Sequence, residues 1–228
     1  MSGTATDADA VLLDNVSFAY PGAERRLLDG VDLRVDAGEL VAVLGPSGVG
    51  KSTLLNLVAG LVIPAAGRVE VLGTEVARLD ESAAARWRRR SLGFVFQQFH
   101  LLPHLTVAEN VALPLALNGE VWSREDLVAF LDRLGMGRHA DAYPRHLSGG
   151  EAQRAAIARA LVHRPRLVLA DELTGNLDEE TAGAVLDVLV EAVTSAGAAT
   201  LVVTHAPEVA ARAHRRYRLA HHRLHRES

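Results

Sequence analysis

The stretch "GPSGVGKS", residues 45–52, constrains this chain more than any other feature. It stands between an apolar run, "ELVAVL", that reads as a buried strand, and "KSTLLNLVAGL", that reads as a helix. Glycines at 48 and 50 let the backbone curl so that its N–H groups face an anion, and the helix that follows adds its positive end. Gly45, Gly50, Lys51 and Ser52 complete the pattern G-x-x-x-x-G-K-[ST] in the strand-to-helix context that gives the pattern its meaning. The expectation is a phosphate cradle running through Gly45, Pro46, Ser47, Gly48, Val49 and Gly50 and into Thr53. Lys51 would reach the β and γ phosphates, and the Ser52 hydroxyl would ligate Mg²⁺. Lys51 is also the only lysine among 24 basic residues, an exception that its neighbours explain chemically.

"RLVLADE", residues 166–172, supplies the complement. Leu167 to Ala170 form a buried strand, and Asp171 and Glu172 emerge at its C-terminal end, where α/β folds place their ligand crevices. Asp171 is expected to hold Mg²⁺ through water, and Glu172 to orient or deprotonate an attacking water. Kinases, GTPases and many ATPases share these two motifs, so the reaction class stays open at this point.

The rest of the chain sets the frame. With 228 residues and 49% apolar content it can bury the core of one large domain. Short β-type runs from Val11 give way to strand–helix alternation, which argues for a parallel sheet with covering helices. Between residues 97 and 146 two helical patterns, "VAENVALPLALN" and "REDLVAFLDRLG", read as an inserted helical unit. The first ten residues read as a loose leader without the basic-then-apolar order of a signal peptide. Net charge is −4, which gives no footprint for nucleic acid. There is no cysteine, hence no disulfide framework or thiolate metal site, and cytosolic residence is the expectation. No stretch is long and apolar enough to span a bilayer, so work at a membrane would need a separate partner subunit.

"LSGGEAQR", residues 147–154, is an unusual helix entrance, because Gly149 and Gly150 precede a run of good helix formers. Together with Gln97 after "FVF" and His205 after "LVVT", it resembles the ATP-binding cassette (ABC) family of transporter nucleotide-binding subunits, from about Val11 to beyond His205. The resemblance implies an α/β fold: a P-loop NTPase (RecA-like) core with an N-terminal antiparallel β subdomain and an α-helical subdomain inserted at about 97–160. Residues 11–228 would form one ATPase domain. It implies that Tyr20 stacks on adenine, that Gln97 contacts Mg²⁺ and the attacking water, and that His205 contacts the γ-phosphate. Asp178, in "TGNLD", would lie across a dimer interface. Ser148, Gly149 and Gly150 would meet the γ-phosphate of ATP held by a second ATPase subunit in a head-to-tail pair. Transmembrane permease subunits would be the further partners, with the chain peripheral on the cytoplasmic face of the membrane.

Within the family, "LADELTGNLDEET" looks like the branch that contains the lipoprotein-release, macrolide-export and division-associated ATPases. Three positions depart from the family pattern. Leu173 replaces a usual Pro, Ala206 a usual Asp, and "LAHHRL" a usual Asp-Gly turn. The basic run "RWRRR" and the Arg/His-rich tail read as solvated surface. Two functions remain: an ATPase that powers a permease, or an ATP-switched module that passes conformation through a membrane partner without transport. A soluble cassette for DNA repair or translation is disfavoured, because the usual long coiled-coil insertion, zinc cysteines or second cassette are not in this sequence.

Overall fold

Two sheets share the work of placing the loop at 45–52. The computed structural model describes residues 9–22, 25–175 and 177–227; residues 1–8, most of the expected leader, lie outside the described residues. The elements run β1 (Val11–Phe18), β2 (Leu28–Val35), β3 (Leu40–Leu44), α1 (Lys51–Val58), β4 (Ala66–Val71), β5 (Thr74–Glu75), α2 (Glu81–Ser91) and β6 (Leu92–Val95). They continue with α3 (Val107–Asn118), α4 (Arg124–Asp132), α5 (Gly149–Leu161), β7 (Leu167–Asp171), α6 (Glu179–Ala196), β8 (Ala199–Thr204), α7 (Pro207–Ala211), β9 (Arg215–Ala220) and β10 (Arg223–Glu227).

The first sheet, in the order β2-β1-β4-β5, is antiparallel throughout. The second, β10-β9-β3-β8-β7-β6, is parallel except for the terminal β9–β10 hairpin. This is the expected α/β architecture with an antiparallel N-terminal sheet. Every residue of β3 and β8 is buried, as a parallel strand covered on both faces requires. The loop after β3 and the carboxylates at the end of β7, on either side of β8, emerge at the same C-terminal edge of the sheet.

The helices α3, α4 and α5 build a separate apolar cluster from Val111, Leu115, Leu131, Met136, Ala155 and Ala158. The opposite side of α5 packs Ile157, Ala160 and Leu161 against the sheet and α6. Its short alanine-rich face suits a helix that must serve two packing surfaces at once. A capping box starts α3: Thr106 Oγ1 accepts from Glu109 N at 3.2 Å and Glu109 Oε2 accepts from Thr106 N at 2.7 Å.

The departure "LAHHRL" finds a plain explanation here. His221 and His222 form the two-residue turn of the β9–β10 hairpin, with φ of 49° and 68°. Such a tight hairpin turn needs positive φ at both central residues, and histidine is among the residues enriched there after Asn and Asp. The turn also docks on the first sheet, because Asp29 N donates to the His222 carbonyl at 2.8 Å.

Candidate active site

The loop after β3 is shaped by two close approaches and by two positive φ angles. A β-carbon on Gly45 would stand 2.7 Å from the Leu219 carbonyl oxygen of β9, and one on Gly50 would press on Leu27 at 3.1 Å. Gly48 and Gly50 have φ of 78° and 112°, a region that disfavours other residues. Only glycines fit these positions, so the curl of Gly45–Gly50 is dictated locally. Pro46, Ser47 and Val49 complete the loop, and Gly50 caps α1.

Lys51 turns back over the loop it follows. Its Nζ donates to the Gly45 carbonyl at 2.7 Å and to the Pro46 carbonyl at 3.1 Å, with 5% of the side chain exposed. The same ammonium lies 3.0 Å from Glu172 Oε1. Glu172 Oε2 in turn lies 2.6 Å from His205 Nδ1 and accepts from the His205 backbone N–H at 3.2 Å. Glu172 itself has φ 47°, an uncommon left-handed conformation for a residue with a side chain, held by a bond from its N–H to the Val203 carbonyl at 2.9 Å. Lysine, carboxylate and imidazole from three different elements thus converge.

Asp171 is the other carboxylate of the pair. Burial holds its carboxyl above the ordinary aspartate range, opposed by a hydrogen bond from Ser52. Its Oδ1 is buried without a hydrogen-bond partner, which is costly unless something else satisfies it. Gln97 lies near the site, since a β-carbon on Gly175 would come 2.8 Å from its Nε2. A cavity of about 410 Å³ joins these groups, lined by Ser47, Gly48, Gly50 to Thr53, Gln97, Asp171 and Glu172, with Tyr20 and Leu27 at its side. Tyr20 is 46% exposed, packs edge-on against Phe18, and its hydroxyl lies 3.1 Å from Thr53 Oγ1.

Ser148, Gly149 and Gly150 are elsewhere. Ser148 and Gly149 line a different groove of about 440 Å³ with residues 98–101. Ser148 caps α5, accepting at Oγ from Glu151 N at 3.3 Å. The glycines have a packing reason too: a β-carbon on Gly150 would meet Thr181 Cγ2 of α6 at 2.5 Å, and one on Gly149 would meet Leu177 at 3.0 Å. Asp178 caps α6 by accepting from Thr181 N at 3.0 Å, and this bond holds its carboxyl below the usual range. One chain therefore gathers Tyr20, the loop, Gln97, Asp171, Glu172 and His205, while Ser148 and Gly149 of the signature motif LSGGEAQR border a separate groove, Gly150 packs on Thr181 and Asp178 caps α6.

The model of the family described as ABC transporter matches residues 28–175. The chain belongs to the ABC transporter family. This ABC protein is 50% identical to the lipoprotein-releasing system ATP-binding protein LolD of Ruegeria pomeroyi, over 91% of this chain and 92% of that one. It is 44% identical to an uncharacterised ABC transporter ATP-binding protein of Mycobacterium tuberculosis, over 90% and 84%. Among solved structures it resembles a dimeric bacterial ABC transporter cassette, with TM-score 0.85, 38% identity and coverage of 96% and 97%. A second structure of that cassette is a post-hydrolysis state bound to ADP and phosphate. The chain is thus an ATP-binding, ATP-hydrolysing ABC subunit.

Three residues that organise this ABC site were not singled out from sequence. Leu27 lines the cavity and rests against Gly50; its carbonyl lies 3.2 Å from His222 Nδ1. Arg159 of α5 donates to the carbonyls of Phe99, at 2.8 Å, and His100, tying the signature helix to the segment after Gln97. Asn110, fully buried in α3, accepts from Leu102 N at 2.7 Å and donates to the carbonyls of Leu102, Leu105 and Thr106. An asparagine inside the apolar helix pattern is the one signal that could have found it.

Proposed function

We propose that this chain is the ATPase of a lipoprotein-release type transporter, which pairs head to tail with a second ATPase subunit and drives separate transmembrane permease subunits. It works at the cytoplasmic face of the membrane; among the described residues no helix is long and apolar enough to cross one. The observation that carries the reading is the Glu172 carboxylate, held between Lys51 Nζ and His205 Nδ1 beside a glycine loop of phosphate-binding form. A carboxylate so placed can take a proton from water while the ammonium and imidazole offset charge on the transferring phosphoryl group.

The residue roles follow from position and donor chemistry. The loop from Gly45 through Pro46 to Thr53 cradles the phosphates with the N–H groups of its residues other than Pro46, and Tyr20 offers its exposed ring to adenine. His205 contacts the γ-phosphate, with Gln97 beside the attacking water. Ser52, Asp171 and Gln97 form an oxygen donor set that suits Mg²⁺, and the unpartnered, buried Oδ1 of Asp171 fits a group that awaits a cation. Bound Mg²⁺ would neutralise phosphate charge. Among the described residues no cluster of three His, Cys, Asp or Glu side chains is placed to hold an ion unaided.

Ser148, Gly149 and Gly150 serve the ATP of the other subunit, and Asp178 lies at the seam. The separation of these residues from the loop within one chain supports an ATP sandwich over a monomeric site. Residues 97–160 act as the helical subdomain of a single domain spanning 11–228, and the segment after Gln97 carries motion to the permease. The test is Glu172→Gln: the variant keeps ATP and forms ATP-dependent dimers, while phosphate release drops about 10²- to 10⁴-fold. Turnover at the parent rate would sink the reading.

A further inference from the structure

The signature turn carries an anion of its own. Glu151 is the third residue of α5, and its Oε2 accepts from the Ser148 backbone N–H at 2.9 Å while Ser148 Oγ accepts from Glu151 N. This capping box satisfies two of the donors that a helix N-terminus leaves open. It also sets a carboxylate at the helix end that, on the sandwich reading above, must receive the γ-phosphate of the partner copy. Two anions then compete for the same positive end.

The other oxygen of Glu151 is answered from the helical unit. Oε1 lies 3.1 Å from His139 Nε2 and 3.8 Å from Arg138 Nη2, and Arg138 Nε lies 2.9 Å from the same imidazole nitrogen. Guanidinium, imidazole and carboxylate form one cluster, in which His139 Nε2 either donates to the carboxylate or accepts from Arg138 Nε, and Glu151 and His139 are largely buried. Both basic residues stand on a 3₁₀ turn, Gly137–His139, whose place is fixed on two sides. A β-carbon on Gly137 would overlap the Asp132 carboxylate at the end of α4. Just beyond the turn, Ala108 N and Val107 N of α3 donate to the carbonyls of Ala140 and Ala142, each at 2.9 Å.

We propose that Arg138 and His139 are positioning residues of the ATP sandwich: they offset the charge of Glu151, so that the signature turn keeps its capping box and still admits the partner's phosphate. The inference rests on the head-to-tail reading. Each closed dimer contains the arrangement twice, so any effect on one site is squared in the closing constant. An exposed or partly exposed ion pair changes an equilibrium about 1.4- to fivefold, which gives about two- to 25-fold for the dimer.

The experiment follows ATP-dependent dimerisation by sedimentation in the Glu172→Gln chain, over a titration of ATP. Arg138→Gln combined with His139→Gln weakens closure within that range, and Arg138→Lys with native His139 stays near the parent. In chains that also carry Glu151→Gln, the Arg138→Gln and His139→Gln pair shifts closure less than twofold, because there is no charge left to offset. An equal loss in the presence and absence of Glu151 overturns the proposal, since it would mean a packing role. Unchanged closure in the Glu151 chain overturns it as well. A Glu172→Gln parent that forms no ATP-dependent dimer overturns the head-to-tail reading itself, and this proposal with it.

Discussion

Lys51 Nζ and Glu172 Oε1 stand 3.0 Å apart, so the ammonium of the glycine loop and the carboxylate after β7 neutralise each other. Both also hold other partners: Lys51 bonds two loop carbonyls and Glu172 bonds His205. The carboxylate proposed as the base is in this way tied to the loop through Lys51.

His205→Ala removes the imidazole from Glu172 and leaves the backbone bond. We expect turnover to fall about 10²- to 10³-fold, the scale seen when one polar stabiliser of a transition state is deleted, with little change in ATP affinity. Steady-state phosphate release together with equilibrium nucleotide binding checks this. A loss seen mainly in affinity would place His205 outside the chemistry.

Gly150→Ala tests two reasons for one glycine. Its methyl meets Thr181 Cγ2 at 2.5 Å, and overpacking of this kind costs about 1–3 kcal/mol, or about 2–4 °C in Tm per kcal/mol for a chain of this size. Adding Thr181→Ser deletes the opposing methyl, keeps the hydroxyl, and restores the Tm. Turnover that stays low in the restored protein assigns the glycine to phosphate approach as well as to packing.

How much of this was legible beforehand divides along physical lines. The loop at 45–52, Asp171 and Glu172 could be read from sequence because their spacing is a local backbone demand that any chain with this chemistry must meet. Ser148, Gly149 and Gly150 were legible as a motif, but their contact with Leu177 and Thr181 of the α6 region was not, since which helix lies against a glycine is settled by tertiary packing. Leu27 and Arg159 carried no local signal at all. Their roles come from neighbours 23 and about 60 positions away, Gly50 for one and the carbonyls of Phe99 and His100 for the other. Of the departures from the family pattern, Leu173 is explained by burial in the cluster of Val185, Leu186 and Leu189. Ala206 keeps its backbone useful by donating to Thr204 Oγ1 at 3.0 Å.

Asn110→Leu removes a buried hub and strands Leu102 N and the Leu105 carbonyl of the segment before α3, while the carbonyls of Leu102 and Thr106 keep the backbone N–H groups of Leu105 and Asn110. Leaving buried partners unsatisfied costs about 1–3 kcal/mol. Thermal unfolding reads the loss, and limited proteolysis should cut first between residues 98 and 106. Cleavage that begins elsewhere would show that Asn110 does not hold this segment.

Asp171→Asn exposes a conflict between stability and function. Burial raises the folded pKa of this carboxyl. A raised acid contributes stability that is full below its unfolded pKa and is lost as pH rises through the folded value. At pH 7 the carboxylate is therefore a liability in the nucleotide-free chain, and Asn should raise the Tm there. At pH 3, below the ordinary aspartate value of 3.8, the gain shrinks, because the acid is then largely neutral in both states. Magnesium-dependent nucleotide binding should weaken in the same variant. Thermal scans at the two pH values decide the matter, and an equal gain at both would rule out the titration of Asp171 as its source.

The single lysine has one more consequence. Amine-directed reagents find only two kinds of nitrogen on this chain, the α-amino group and an Nζ whose side chain is 5% exposed. Acylation beyond the first equivalent thus reports on one atom, so the intact mass of the labelled protein becomes a gauge of whether that ammonium is shielded, without any probe having to be installed.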